Sequence, residues 1–306
     1  MDAEALLPRR WYSSNLVGVP AWVLASTEFN AHPIALSIAG TRAAHPGLFS
    51  LLDRCSALSD ASVVLVHYLD IAFGLRAPAA HEAAALDLAE RRRWRSSWRK
   101  LLQAWGMDNA SPAGAVLKGW VESRFGLVPT HHRQPLRRFP APAWVTYIEE
   151  KSCSRLHNNH IHQQLDLLYE FCQWALMRFG LPGHAAAGAQ HVRLWRGSTR
   201  CDEQLVAGRL SVPRSERNAS LPKGRDRVWG GPALGHGRHC TVRLNNLVSF
   251  SLSADDAGCF GDWVFETLVP TCKLLVFPGL LQGQLLQGEQ EVLALGGDYE
   301  VVARYA

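Results

Sequence analysis

Apolar residues recur every three to four positions through roughly the first 180 residues, the spacing that lines one face of a helix. His81 to Trp105 shows it best, with Trp94, Trp98, Leu101, Leu102 and Trp105 at helical spacing and Gly106 as a stop. Arg91, Arg92, Arg93, Arg95, Arg99 and Lys100 fall mostly on the other face, so a basic outer surface is expected there. A second helix is expected over Leu156 to Phe179. The small and turn-forming residues from Leu181-Pro182-Gly183 to Gly188 then interrupt the period. Short alternating runs follow: His191 to Arg196, Leu244 to Ser253, Lys273 to Phe277 and Glu291 to Leu295. The expected class is therefore α+β, with a mainly helical region over 1–185 and a strand-bearing region over 186–306. Ser211 to His239 is rich in Gly, Arg, Pro and Ser, lacks a period, and reads as a long loop.

Composition narrows the partners more than the fold. With 306 residues, 47% hydrophobic and 19% charged, the chain can bury a substantial core in one large domain or two smaller ones. Its net charge of +5 is a mild bias toward acidic partners. The basic helix reads as a solvated face, with docking of an acidic protein as the alternative; nucleic acid ranks last, because no aromatic platform accompanies it. Seven cysteines, an odd number that never forms C-x-x-C, argue against a disulfide framework or a cysteine zinc site and fit reduced thiols in a cytoplasm. No apolar run approaches the roughly 20 residues of a membrane span. Arg9-Arg10 before Leu16 to Ala25 imitates a twin-arginine signal, but Pro20 interrupts the apolar run and Asp2 and Glu4 precede it, so it reads as mature protein. His157 and His160 share a helical face, yet no acid or cysteine cluster stands beside them to complete a metal site. Glycine-rich dinucleotide and phosphate loops and a nucleophile elbow are absent.

Three short motifs carry candidate chemistry. In Gly288-Glu289-Gln290-Glu291, a strand beginning at the second acid would point Glu289 and Glu291 the same way. Paired anions suit cleavage of a glycosyl bond, whose carbon gains positive charge; the bland alternative is a solvated strand end. Arg196 would emerge at a strand end, able to contact a diphosphate through two N–H groups, and Gly197 would let the backbone approach a flat ligand. An ordinary surface arginine is the competing account. Ser249 and Ser251 share one face of their strand, where hydroxyls can hold a carboxylate or a ribose. Phe250 can wall a nicotinamide, although alternation turns it to the other face. Serines that merely face solvent would look the same.

The order of the motifs, Arg196 first, Ser249-x-Ser251 second and Glu289-x-Glu291 third, resembles the R-S-E class of mono-ADP-ribosyltransferases. Longer strings extend the likeness: RLNNLVSFS, AGCFGDWVFETLVP, KLLVFPGLL and GEQEVLALGGDY, with NLVGVPAWVLASTEFN and RLHNNHIHQQLDLLYEF in the N-terminal half. Together they are similar to the NAD-dependent dinitrogenase-reductase ADP-ribosyltransferases of nitrogen-fixing bacteria, over nearly the whole chain. The resemblance implies an ADP-ribosyltransferase-type split β-sandwich after the helical part, with NAD as ADP-ribose donor and no metal required. It implies that Glu291 stabilises the developing cation and that Glu289 accepts a proton from the incoming arginine. Ser249 would hold Glu291 and the ribose with support from Ser251, while Arg196 grips the diphosphate and Gly197 contacts the carboxamide. Phe250 is the weaker candidate for packing on nicotinamide, and Asn245 and Asn246 would fix loop geometry. The implied partners are dinitrogenase reductase, read through the loop from Pro278 to Gly288, and a PII-type nitrogen-signalling protein. Alternatives are an NAD glycohydrolase, an arginine ADP-ribosyltransferase with another target, a catalytically weak NAD-binding regulator, or a nucleic-acid binder.

Overall fold

The computed structural model describes residues 15–75, 97–154, 156–199, 201–208, 237–283, 286 and 290–305. Up to residue 180 the described chain is helical apart from a two-residue hairpin, His131–His132 (β1) against Gln134–Pro135 (β2). The principal helices are Leu58–Phe73, Trp98–Met107, Pro112–Phe125, Pro142–Cys153 and Asn159–Phe179. Local chemistry explains their ends. Ser111 accepts from Gly114 N ahead of the proline that opens its helix, and Gly126 closes that helix at φ 71°. Asn158 Oδ1 accepts from Ile161 N at 2.8 Å, so the expected Leu156 start moves to Asn159.

The described part of the His81 to Trp105 helix buries Trp98, Leu101, Leu102 and Trp105, as its period requires. It runs through Gly106 to Met107, because a glycine inside a helix weakens it without ending it. Arg99 and Lys100 are exposed, whereas His81, Arg91, Arg92, Arg93, Trp94 and Arg95 lie outside the described residues.

Six strands follow: His191–Ser198 (β3), Leu205–Ala207 (β4), Arg238–Ser251 (β5), Trp263–Pro270 (β6), Leu274–Val276 (β7) and Glu291–Tyr305 (β8). All their pairings are antiparallel. β3 pairs β6 along its whole length, from His191↔Pro270 to Ser198↔Trp263. β5 pairs β8 from Arg238↔Ala303 to Ser251↔Glu291. These two ladders meet twice, at Trp195↔Ser251 and where Trp263 to Glu266 pairs Tyr305 to Val302. The path β5–β3–β6–β8–β5 therefore returns on itself.

Three expectations change. His239, expected in the long loop, lies in β5; residues 211–236 are outside the described set. Lys273 sits in a 3-10 turn over Thr271–Lys273, and the strand expected to start there starts at Leu274. The strand expected to end at Leu295 crosses Gly296 and Gly297 to Tyr305. These glycines answer a register shift in β5 between Leu244 and Leu247. A Cβ on Gly296 would lie 1.5 Å from the Asn245 carbonyl oxygen, and one on Gly297 (φ 127°) 2.7 Å from that of Ala25.

One apolar cluster serves both regions, joining Leu24, Trp120, Leu165 and Phe171 to Val242, Phe250, Val292 and Tyr299. Buried polar bonds fix its register. Tyr169 Oη donates to the Cys272 carbonyl at 2.7 Å, and Asn246 Nδ2 donates to the carbonyls of Lys118 and Leu127, both at 2.9 Å. Each such bond contributes about 1 kcal/mol, less than burying one large side chain, but demands one alignment.

Candidate active site

The C-terminal end of β5 brings Ser249, Ser251 and Glu291 together. Residues opposite one another in an antiparallel pair share a face, as do positions two apart on one strand. Ser251 is opposite Glu291 and Ser249 opposite Leu293, so Ser249, Ser251 and Glu291 share a face. Ser251 is buried, and its Oγ accepts from Ser253 N at 3.0 Å as the chain leaves the strand. Ser253 in turn caps the short helix Ala254–Gly258. Ser249 is half-buried, and its Oγ accepts from Trp105 Nε1 at 2.9 Å.

Arg196 reaches this corner from β3, next to the Trp195↔Ser251 bridge. Its Nη1 donates to the Ser249 carbonyl at 2.6 Å. Its Nε is buried with no partner among the described residues. Burial pulls the guanidinium down to about 10, while the charge of Glu291 pushes it back up. Arg196 is thus wedged at the strand junction rather than standing free at a strand end, because alternation places it with buried Val192 and Leu194. Its buried Nε–H remains a donor for an anion.

Gly197 serves packing directly. A Cβ there would lie 2.1 Å from the Ala257 carbonyl oxygen and 3.0 Å from Phe260 Cβ, so only glycine lets β3 lie against the short helix. Phe250 packs in the core, its ring 5.8 Å from that of Tyr299, on the other face from the two serines. An exposed aromatic does stand beside Gly197, namely Phe260 at 71% exposure. Glu289 lies outside the described residues. Asn245 takes the loop-fixing role: its Oδ1 accepts from Thr130 N at 2.9 Å and its Nδ2 donates to the His131 carbonyl at 2.9 Å.

Among the described residues no group of three or more His, Cys, Asp or Glu is placed to hold a metal ion. His160 instead packs edge-on against Phe73, and His157 against His162. No helix among these residues is long and apolar enough to cross a membrane. Ser249, Ser251 and Glu291 thus offer a hydroxyl pair and a carboxylate on one face, while Arg196, set by alternation from Trp195 on the opposite face, brings its guanidinium to the Ser249 carbonyl.

The family model described as dinitrogenase reductase ADP-ribosyltransferase matches residues 14–219 and 232–303. The chain belongs to that family. It is also 42% identical over 294 residues to the NAD(+)--dinitrogen-reductase ADP-D-ribosyltransferase of Rhodospirillum rubrum, covering 96% of this chain and 95% of the relative. No solved structure matches. The family match takes in the whole described helical region together with Arg196, Ser249, Glu289 and Glu291. It leaves out residues 220–231, inside the stretch read as a loop. Two residues at this corner escaped sequence reasoning. Trp105 looked like one more apolar position on its helix, and its partner is 144 residues away. Phe260 sits in a turn without period, and only its neighbour Gly197 hints at it.

Proposed function

We propose that this chain transfers ADP-ribose from NAD to an arginine of dinitrogenase reductase, releasing nicotinamide and reversibly switching off nitrogen fixation. The observation that carries this is the near-full-length likeness to a relative whose name states that activity. The shared face of Ser249, Ser251 and Glu291, with Arg196 beside it, supports the assignment of roles. Arg196 directs its free N–H to the diphosphate of NAD. Ser249 holds the ribose and Glu291, and Ser251 keeps the strand end in place. The Glu291 carboxylate stabilises the ribosyl cation as the ribose C1′–nicotinamide bond breaks and neutral nicotinamide leaves with the electron pair. A guanidinium nitrogen of the target then bonds to C1′, and its proton passes to Glu289. That transfer matters because an arginine with a pKa above about 12 is a poor nucleophile while protonated. The exposed ring of Phe260 is a better aromatic wall for nicotinamide than Phe250, which the core occupies.

The closed path of strand pairings supports an ADP-ribosyltransferase-type split β-sandwich over 186–306, with the helical part over 1–185 as its support. A cytoplasmic setting, a PII-type regulator and independence from metal complete the reading. The test is to mix the protein with adenine-labelled NAD and purified dinitrogenase reductase and map the modified residue. Label on an arginine, with one nicotinamide released per group transferred, is expected. Nicotinamide release without transfer to this target would leave an NAD glycohydrolase or a different protein substrate instead.

A further inference from the structure

The indole N–H of Trp105 is only ever a donor, so the 2.9 Å bond to Ser249 Oγ makes that oxygen the acceptor. With one lone pair engaged from behind, the serine's own proton is directed away from the indole. The face it shares with Ser251 and Glu291 is where an acceptor stands. The indole is itself held. Its helix is pinned where Trp98 N donates to Gln164 Oε1 at 3.0 Å. The Lys118 ammonium lies 5.8 Å from the centre of the Trp105 ring. Lys118 Nζ bonds His132 Nδ1 at 3.2 Å, and His132 Nε2 bonds Glu150 Oε2 at 2.7 Å. The lysine can only donate, so His132 accepts at Nδ1 and carries its proton at Nε2 toward the carboxylate. A buried row of polar contacts thus runs from Glu150 through His132 and Lys118 to the face of Trp105, and from Trp105 to Ser249. Apolar packing alone would need no such row.

Resting on the role given to Ser249 above, we propose that Trp105 is a positioning residue for cleavage of the nicotinamide–ribosyl bond, its N–H fixing the Ser249 hydroxyl as a donor toward the ribose and Glu291. The helical region then contributes to the chemistry as well as supporting the strands.

Trp105→Phe keeps an aromatic ring and removes the donor. Nicotinamide release from NAD alone is the readout, measured in the wild type, Trp105→Phe, Ser249→Ala and the double variant. Loss of one orienting hydrogen bond should lower kcat about tenfold and change KM for NAD less than about threefold. In the Ser249→Ala background the same substitution should change the rate less than about twofold. Equal losses in both backgrounds, or no loss in Trp105→Phe while Ser249→Ala is impaired, overturn the inference and leave the proposed function standing. An unimpaired Ser249→Ala removes the role of the serine and the inference together. A wild-type protein that neither releases nicotinamide nor labels its target sinks the function itself. Should Trp105→Phe not fold, nuclear magnetic resonance of the eleven indole N–H groups decides. One should shift and exchange with solvent at least about tenfold faster in Ser249→Ala, and an unchanged set overturns the proposal.

Discussion

Two places on the β5–β8 ladder, its middle and its Ser251–Glu291 end, are built from similar residues and treated in opposite ways. In the middle Arg243 sits opposite Asp298, and its Nε and Nη2 meet the two carboxylate oxygens at 2.6 and 3.0 Å. The main chain of Asp298 is engaged too, its carbonyl accepting from Asn30 Nδ2 and its N–H donating to Ala25. At the Ser251–Glu291 end Arg196 feels the charge of Glu291, having one N–H on a strand carbonyl and its Nε unsatisfied among the described residues. A saturated ion pair fixes a join, whereas an arginine with a spare buried donor is set to receive something. On the roles proposed above, saturation separates a structural pair from a chemical one more clearly than residue type does.

The sharpest way to break that comparison is Glu291→Gln. Loss of the anion should reduce nicotinamide release and protein labelling about 10³-fold, with the urea midpoint nearly unchanged. A large loss of stability would place Glu291 in the structural class instead. The opposite pattern is expected where the ladder is saturated. Gly296→Ala would drive a Cβ into the Asn245 carbonyl and should cost about 3 kcal/mol of unfolding free energy. Asp298→Ala, which strands Arg243, should cost about 2 kcal/mol, the arginine being partly hydrated. In both, NAD cleavage per folded molecule should stay within about twofold of the wild type.

The smallest effect concerns a third cation, one that belongs to neither pair. Lys273 is fully buried, 5.4 Å from the Phe29 ring centre and 5.0 Å from that of Tyr299, with no hydrogen-bond partner for Nζ among the described residues. Burial pulls it down to about 7. Unfolded, a lysine keeps its proton to about pH 10.4. Between those values the unfolded chain binds more protons, so this group makes stability rise with pH. The slope is at most about 1.4 kcal/mol per pH unit. Urea midpoints at pH 7.0, 7.75 and 8.5 should climb more steeply in the wild type than in Lys273→Met, and parallel lines would reject the account.

What the sequence made legible follows from the range of the interactions involved. The helix from Asn159 to Phe179 was readable because its period is local, although the Asn158 cap that sets its start was not read. Ser249, Ser251 and Glu291 were readable as a face because alternation is local once a strand is assumed. The continuation of β8 through Gly296 and Gly297 was not, since a glycine pair signals a turn unless the carbonyl it accommodates is known. That carbonyl belongs to Asn245, 51 residues earlier in the chain by numbering. Trp105 was hidden for the same reason: its apolar spacing was visible and its donor's destination was not. Arg196 was found through its place in an ordered set of motifs, while its burial at a junction needed the pairing of β3 with β5.

The bond from Tyr169 to the Cys272 carbonyl, and the apolar cluster around it, bear on how these strands could be reused. A strand-bearing cassette cut out after the long helix would open a wide greasy surface and take from the Cys272 carbonyl the tyrosine hydroxyl that donates to it. Engineers wishing to transplant the proposed catalytic corner would have to carry the helical partner along with it.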